Sequence, residues 1–168
     1  MSRGSFVTRD GVAPVEAAPA ALPSGCTSFR LRRVSRRVSQ HFDRFLAPCG
    51  LKTTQYSLLS HIERLGPIAP GALARRMEME PSTLTRNLKP ALTQGWAEIG
   101  PGADGRSRVV YATEAGRAKR AEAARLWKKA QLALNARLGV ERVVELHQLL
   151  DDCLAQMEAA HGGDLANE

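Results

Sequence analysis

Residues 70–94 read PGALARRMEMEPSTLTRNLKPALTQ, and the spacing of their apolar positions predicts two short helices joined by a tight turn. The first helix has Leu73 and Met77 on its inner side, and the second has leucines at every fourth position from Leu84. Pro81 stands where proline is best tolerated, at the first helical position. The pattern is that of a helix-turn-helix.

A β-hairpin is predicted directly after these helices. Residues 96–100 and 107–112 have the composition of strands, and the basic segment PGADGR separates them. Pro90 lies inside the second helix of the pair, where it removes a backbone donor and presses on the carbonyl group of Arg86. We therefore expect a kink or early fraying of that helix at Pro90.

Longer helical patterns surround this central unit. Thr53 or Thr54 is expected to cap one of them and Thr113 another, and Gly139 separates the last two. The predicted helices cover residues 27–47, 53–65, 114–138 and 140–159.

The predicted fold class is mainly α with a small β-hairpin wing. It consists of a winged helix-turn-helix domain plus a helical dimerisation domain. The predicted organisation is a disordered arm (1–25), a helical dimerisation region (26–48 and 114–160), a winged helix-turn-helix domain (49–113) and a flexible tail (161–168).

Composition indicates one globular domain with a polyanionic partner. The chain has 168 residues, with 24 Lys and Arg against 17 Asp and Glu and a formal net charge of +7. Such an excess favours nucleic acid first and an anionic membrane surface second. No apolar run is long enough to span a bilayer, and residues 1–22 lack the apolar core of a signal peptide. We expect a cytoplasmic protein.

Catalytic and metal-binding patterns are not found in the sequence. Cys26, Cys49 and Cys153 lack C-x-x-C spacing, and the four histidines are dispersed. The phosphate-binding and nucleophile motifs of common enzymes are missing as well. The sequence predicts no cofactor, no metal and no enzymatic activity.

The three long helices present more apolar surface than one small chain can cover, which predicts a homodimer. Charge is also divided along the chain, because residues 141–168 carry seven acidic side chains and one basic one. The excess positive charge therefore lies upstream, over the earlier helices and the hairpin.

Six segments together resemble the MarR family of bacterial winged helix-turn-helix regulators, over roughly residues 27–160. They are LRRVSRRVSQHFD from Leu31, GLKTTQYSLL from Gly50, GALARRM from Gly71, PSTLTRNL from Pro81, DGRSR from Asp104 and TEAG from Thr113. The resemblance implies a homodimer held by the first helix and the last two, with each winged domain binding half of a palindromic operator in double-stranded DNA. It also implies a transcriptional regulator, with repression as the leading hypothesis.

In the family, the helix that matches residues 81–92 enters the major groove. The implied base and phosphate contacts in this sequence are Ser82, Thr83, Thr85, Arg86, Asn87 and Lys89. Arg86 is the candidate for guanine, because a guanidinium can bridge O6 and N7 in the base plane. Asn87 reads adenine or faces phosphate or solvent, and Lys89 contacts phosphate.

The hairpin tip DGRSR resembles the family's wing, where an acidic residue orients an arginine that enters the minor groove. Asp104 and Arg106 take these roles, and Arg108 is either a phosphate contact or a charge at the strand edge. Gly105 departs from the DRR form that is common in the family, which removes one possible contact to DNA.

Family members also bind small aromatic acids between the dimerisation helices and the winged domain. The matching polar positions are Arg36, Ser39, Lys52, Thr54 and Tyr56. By this resemblance Arg36 and Lys52 would hold the carboxylate of the ligand, while Tyr56 stacks on its ring.

The reactive cysteine of peroxide-sensing members matches Ser28, and Cys26 misses that position by two residues. Thiol-based sensing at Cys26 and a winged module for protein interaction remain the alternatives.

Overall fold

The protein is described by a computed structural model that covers residues 24–164. Its helices are α1 (Thr27–Leu46), α2 (Thr53–Leu65), α3 (Pro70–Arg76), α4 (Pro81–Thr93), α5 (Glu114–Leu138) and α6 (Val140–Asp164). Strands β1 (Ala97–Pro101) and β2 (Arg108–Ala112) form one antiparallel hairpin. The predicted fold class is confirmed. The predicted arm, except residues 24 and 25, and residues 165–168 of the predicted tail lie outside the described residues.

The start of α2 is held by a residue of α1 and not by its own threonines. The Oδ1 atom of Asp43 accepts hydrogen bonds from both the N–H and the hydroxyl of Thr53, each 2.7 Å long. Lys52 occupies the N-cap position, and its N–H donates to Gln55 Oε1 at 2.9 Å. The prediction that Thr53 or Thr54 caps this helix is therefore wrong, because a carboxylate from the preceding helix supplies the acceptor.

Helices α3 and α4 form the predicted helix-turn-helix. Pro81 is the first residue of α4, as predicted. Glu78 turns the chain between the two helices in the left-handed region, with φ of 50°. Pro90 does not end the helix, which runs on to Thr93. Its missing N–H costs little here because a proline so close to the C-terminus interrupts only the last turn.

The hairpin is joined to the helices by a short third segment. Ala97 pairs with Ala112 and Pro101 with Arg108 at the two ends of the ladder. Ile68 exchanges two backbone hydrogen bonds with Val110, 3.0 and 2.8 Å long, and so extends the ladder by one isolated bridge. The sequence does not predict this bridge, since a single paired residue has no alternating pattern.

The core lies where α1, α2, α4, β2 and α5 meet, and it consists mostly of leucine and alanine. The largest fully buried side chains are Leu46, Leu58, Leu59, Ile62, Leu73, Leu84 and Val110. The first half of α1 lies outside this core: Leu31 and Val34 are 53% and 52% exposed.

Helix α6 leaves the core after Val143, which is buried. It continues to Asp164, so the predicted helix end near residue 159 is wrong. Two glycines near a helix end cost only about 1 kcal/mol each and do not have to stop it. Among residues 24–164, no helix is both long and apolar enough to cross a membrane.

Candidate nucleic-acid interface

Helix α4 presents a polar stripe on the side opposite its buried leucines. Leu84 and Leu88 are buried in the core, whereas Ser82, Arg86 and Lys89 are exposed. The spacing of these three residues, i, i+4 and i+7, places them on one side of the helix. The helix can therefore bind a partner through this stripe while its other side holds it to the domain.

Three further residues of the predicted DNA-binding set lie beside this stripe. Thr85 is exposed, and its hydroxyl donates to the carbonyl of Pro81 at 2.9 Å. Thr83 and Asn87 are half-buried, and the Asn87 amide points to the sulfur of Met79 at 3.7 Å. Arg86 thus lies exposed in the middle of the stripe, and Asn87 has a contact within its own chain.

The tip of the hairpin is organised by one carboxylate oxygen. Asp104 Oδ1 accepts hydrogen bonds from the N–H of Arg106 (3.0 Å) and from the N–H (2.8 Å) and hydroxyl (2.6 Å) of Ser107. In the described part of the chain no ion pair joins Asp104 to the guanidinium of Arg106. The predicted support of Arg106 by Asp104 therefore takes a different form, because the carboxylate fixes the backbone and leaves the guanidinium exposed.

The same hydrogen bonds favour the ionised form of Asp104. The Ser107 hydroxyl, followed by the main-chain N–H groups of Ser107 and Arg106, lowers the pKa of Asp104 below its ordinary value. A lowered folded-state pKa contributes stability above the unfolded pKa, and this is lost as the pH falls through the folded value. At neutral pH Asp104 is therefore ionised, which is the form that accepts these hydrogen bonds.

The strands behind the tip are braced by a polar pair. The Tyr111 hydroxyl donates to Glu98 Oε2 at 2.8 Å, and the register places the two residues directly opposite each other. This hydrogen bond and the nearby negative charge raise the pKa of Tyr111. Arg108, at the start of β2, is exposed beside this braced ladder.

This arrangement of helix and wing matches known regulators. The model of the MarR family matches residues 50–107. A crystal structure of the M. tuberculosis transcriptional regulator MosR in complex with DNA is 34% identical, with 77% of this chain and 98% of that chain covered and a TM-score of 0.61. The chain belongs to the MarR family. The fold and the family are those of transcriptional regulators.

Two further relatives of this MarR-family chain are more distant. A cysteine-to-serine mutant of E. coli MarR, in complex with operator DNA, has the same fold at 24% identity and a TM-score of 0.69, with 76% of this chain and 92% of that chain covered. The uncharacterized HTH-type transcriptional regulator YwoH of Bacillus subtilis is 26% identical over 85 residues, or 51% of this chain. The match spans 62% of the length of YwoH.

The five residues predicted to form a MarR-family ligand pocket line none of three cavities on the described residues, which have volumes of about 700, 490 and 180 Å³. Arg36, Ser39, Lys52 and Thr54 are exposed. Tyr56 stacks on Trp127 at the edge of the core, with ring centroids 6.1 Å apart. The structure thus gives Tyr56 a packing role within the chain.

Sequence reasoning missed two arginines near the helix-turn-helix. Arg75 and Arg76 are exposed in the last turn of α3, immediately before the turn that leads into α4. Their signal was the RR pair in the segment GALARRM, of which only the apolar spacing and the family resemblance entered the prediction. They add positive charge beside the stripe on α4.

Proposed function

We propose that this MarR-family chain is a DNA-binding transcriptional repressor that acts as a homodimer on palindromic operators. The observation that carries the proposal is the stripe of Ser82, Arg86 and Lys89 on α4, opposite leucines that hold the helix in the domain. An exposed basic helix of this kind fits the major groove of B-DNA. The 34% identical MosR, solved in complex with DNA, supports the same conclusion.

The predicted roles of the side chains follow from their chemistry. Arg86 would bind O6 and N7 of guanine, and Lys89 would contact a phosphate group as a point charge. Ser82 within the stripe and Thr85 beside it carry hydroxyls that would bind phosphate oxygens or base edges. Arg106 would enter the minor groove, where narrow A·T stretches attract a guanidinium.

A dimer is the state that the exposed apolar surface favours. Leu31 and Val34 of α1, Leu132 of α5 and Leu154 of α6 are each at least half exposed in the single protomer. All lie in the segments that we propose as the dimerisation region, residues 26–48 and 114–160. A second copy would cover them and leave the winged domain, residues 49–113, for DNA.

The test is the salt dependence of binding to DNA fragments retained from the organism's own genome. Two protomers with at least three phosphate contacts each release many counterions, so affinity should fall roughly 10³-fold between about 50 and about 200 mM salt. Fluorescence anisotropy with a labelled fragment measures this, and a scrambled fragment of equal length is the control. Equal affinity for the two fragments, or affinity that does not change with salt, would contradict the proposal.

We also propose a small aromatic acid as the effector, on the family resemblance and on the cationic side chains of Arg36 and Lys52. A ligand that binds two dimer conformations unequally changes operator affinity by about 5- to 150-fold. Titrating the DNA complex with benzoate and salicylate should release the DNA, and Arg36→Ala should abolish the release but retain DNA binding. Release by peroxide that is lost in Cys26→Ser would contradict this and favour a thiol sensor, since Cys26 is exposed at the N-terminus of α1.

A further inference from the structure

The linker between α1 and α2, residues 47–52, is one of two connections between the proposed dimerisation region and the winged domain; the other is the step from β2 into α5. Ala47–Cys49 forms a single 3₁₀ turn, and Gly50 then adopts the left-handed region, with φ of 71°. Gly50 is exposed, and an added Cβ there would meet no atom within 4 Å. Because glycine is conformationally permissive, the linker alone does not fix the direction in which α2 leaves α1.

One carboxylate joins the two helices across this linker. Asp43, in the last turn of α1, accepts at Oδ1 from both the N–H and the hydroxyl of Thr53, the first residue of α2, and each distance is 2.7 Å. Hydrogen bonds to an ionised group are short and strong. Among residues 24–164, no other side chain of α1 forms a hydrogen bond or an ion pair with α2. Asp43 is therefore the polar link between the two helices.

Two apolar side chains of the linker, Cys49 and Leu51, are buried and anchor it to the core. Apolar burial is not directional, so it opposes withdrawal of the linker from the core more than a small rotation of α2 about its first turn. Hydrogen bonds, in contrast, weaken steeply when they are misaligned. The two bonds to Asp43 are thus the directional restraint on α2.

A change of direction at Thr53 is passed on to α4, because the two helices share a core. Leu58 of α2 lies in the same buried cluster as Leu84 and Leu88 of α4. Helix α2 has 13 residues. A tilt of about 10° at its first residue would move the far end of a helix about 20 Å long by about 3.5 Å, close to the rise of one base pair, about 3.4 Å. The link to Asp43 therefore acts on the place of α4 at the scale of single base pairs.

We propose that Asp43 is a positioning residue for operator binding, which holds Thr53 and thereby sets the distance between the two α4 helices of the homodimer. The dimer then prefers one spacing between the half-sites of its palindrome, because half-site spacing follows the geometry of the protein. This deepens the proposed function and rests on it. Asp43 contacts no DNA in this proposal and acts only through the direction of α2.

The preference for half-site spacing tests the proposal. The probes are duplexes that carry the retained operator with its native spacer, or with one base pair more or fewer between the half-sites. In the parent a shifted half-site is misread at several positions, so affinity should fall at least about tenfold. In Asp43→Ala the winged domains can take several directions, so the same shift should cost less than about threefold, while affinity for the native spacer also falls. Fluorescence anisotropy measures both affinities.

Matched variants separate the two hydrogen bonds from other properties of the side chains. Thr53→Ser retains both donors and should keep the parent's preference, whereas Thr53→Val has the same shape without the hydroxyl and should weaken it. Asp43→Asn retains an acceptor at Oδ1 and should restore most of the preference that Asp43→Ala loses. Arg44→Ala alters an exposed neighbour in α1 and should change nothing. Each result is a ratio of two affinities, so a change in net charge, which affects every duplex alike, cancels.

The outcomes separate this inference from the proposed function. If Asp43→Ala lowers affinity for all spacers by one factor, Asp43 only supports the fold and the inference is wrong. If circular dichroism shows that Asp43→Ala does not fold, Thr53→Val decides by the same criterion. A parent that prefers its operator to scrambled DNA but tolerates every spacer would overturn the inference alone. A parent that binds both sequences equally would overturn the proposed function, and the inference with it.

Discussion

Replacing Gly116 with alanine is expected to destabilise the winged domain by about 3 kcal/mol, a large effect for one methyl group. Gly116 is buried in the first turn of α5, and its N–H donates to the Thr113 hydroxyl oxygen at 3.0 Å. A Cβ atom there would collide with the carbonyl oxygen of Trp96 and lie 2.8 Å from its carbonyl carbon. These are backbone atoms, which cannot rotate away as a side chain would.

The collision falls at a joint that holds several elements together. Thr113 donates from its N–H to the Trp96 carbonyl at 3.2 Å and from its hydroxyl to the Gly95 carbonyl at 2.6 Å. The segment between α4 and β1 is therefore fixed against the start of α5. Moving α5 outward to make room for a methyl group would break these hydrogen bonds, and the domain would lose packing around them.

Thermal and urea unfolding of Gly116→Ala measure the effect, and Gly71→Ala is the matched control. Gly71 is exposed in α3, where the nearest atom to an added Cβ is a guanidinium nitrogen of Arg75 at 3.9 Å. Alanine there should stabilise the helix by about 0.5 to 1 kcal/mol. If the two variants unfold at the same denaturant concentration, the close packing at Gly116 does not contribute as we argue.

The sequence predicted those elements whose signals lie within a few residues. Pro81 at the first helical position, Thr113 as a side-chain cap and Gly139 as a break between two helices are all found where the local pattern indicated them. The hairpin followed from strand composition on both sides of a turn segment. In each case the backbone preference and the apolar spacing agree, so tertiary structure had nothing to override.

Features that depend on distant residues were not predictable in this way. Asp43 caps a helix that begins ten residues later, and only the path of the chain after α1 brings its carboxylate there. The stacking of Tyr56 on Trp127, far along the sequence, likewise depends on how α2 and α5 pack together, and the ligand contact of Tyr56 stays a prediction. The arginines of α1 were visible in the sequence, yet the cavity of about 700 Å³ that several of them line exists only because the end of α5 packs beside them.

In the operator complex, Arg86→Ala is expected to cost about 1 to 3 kcal/mol per half-site, and therefore about 2 to 6 kcal/mol for a dimer. The loss should appear in discrimination, because a bidentate guanidinium contact distinguishes guanine from other bases while a phosphate contact does not. Arg86 is exposed in the middle of the stripe on α4, and its neighbours Leu84 and Leu88 are buried, so the substitution leaves the core unchanged.

Two substitutions make this result specific to base readout. Lys89→Ala, on the same stripe, should weaken binding to operator and scrambled DNA alike and reduce the salt slope by about 1 per protomer. Arg125→Ala removes an exposed arginine from α5 and should change neither affinity. Competition binding with the two DNA fragments, at one salt concentration, measures the ratio of affinities for each variant. Should Arg86→Ala lower both affinities equally, as Lys89→Ala does, Arg86 contacts phosphate, and another residue of α4 reads the bases.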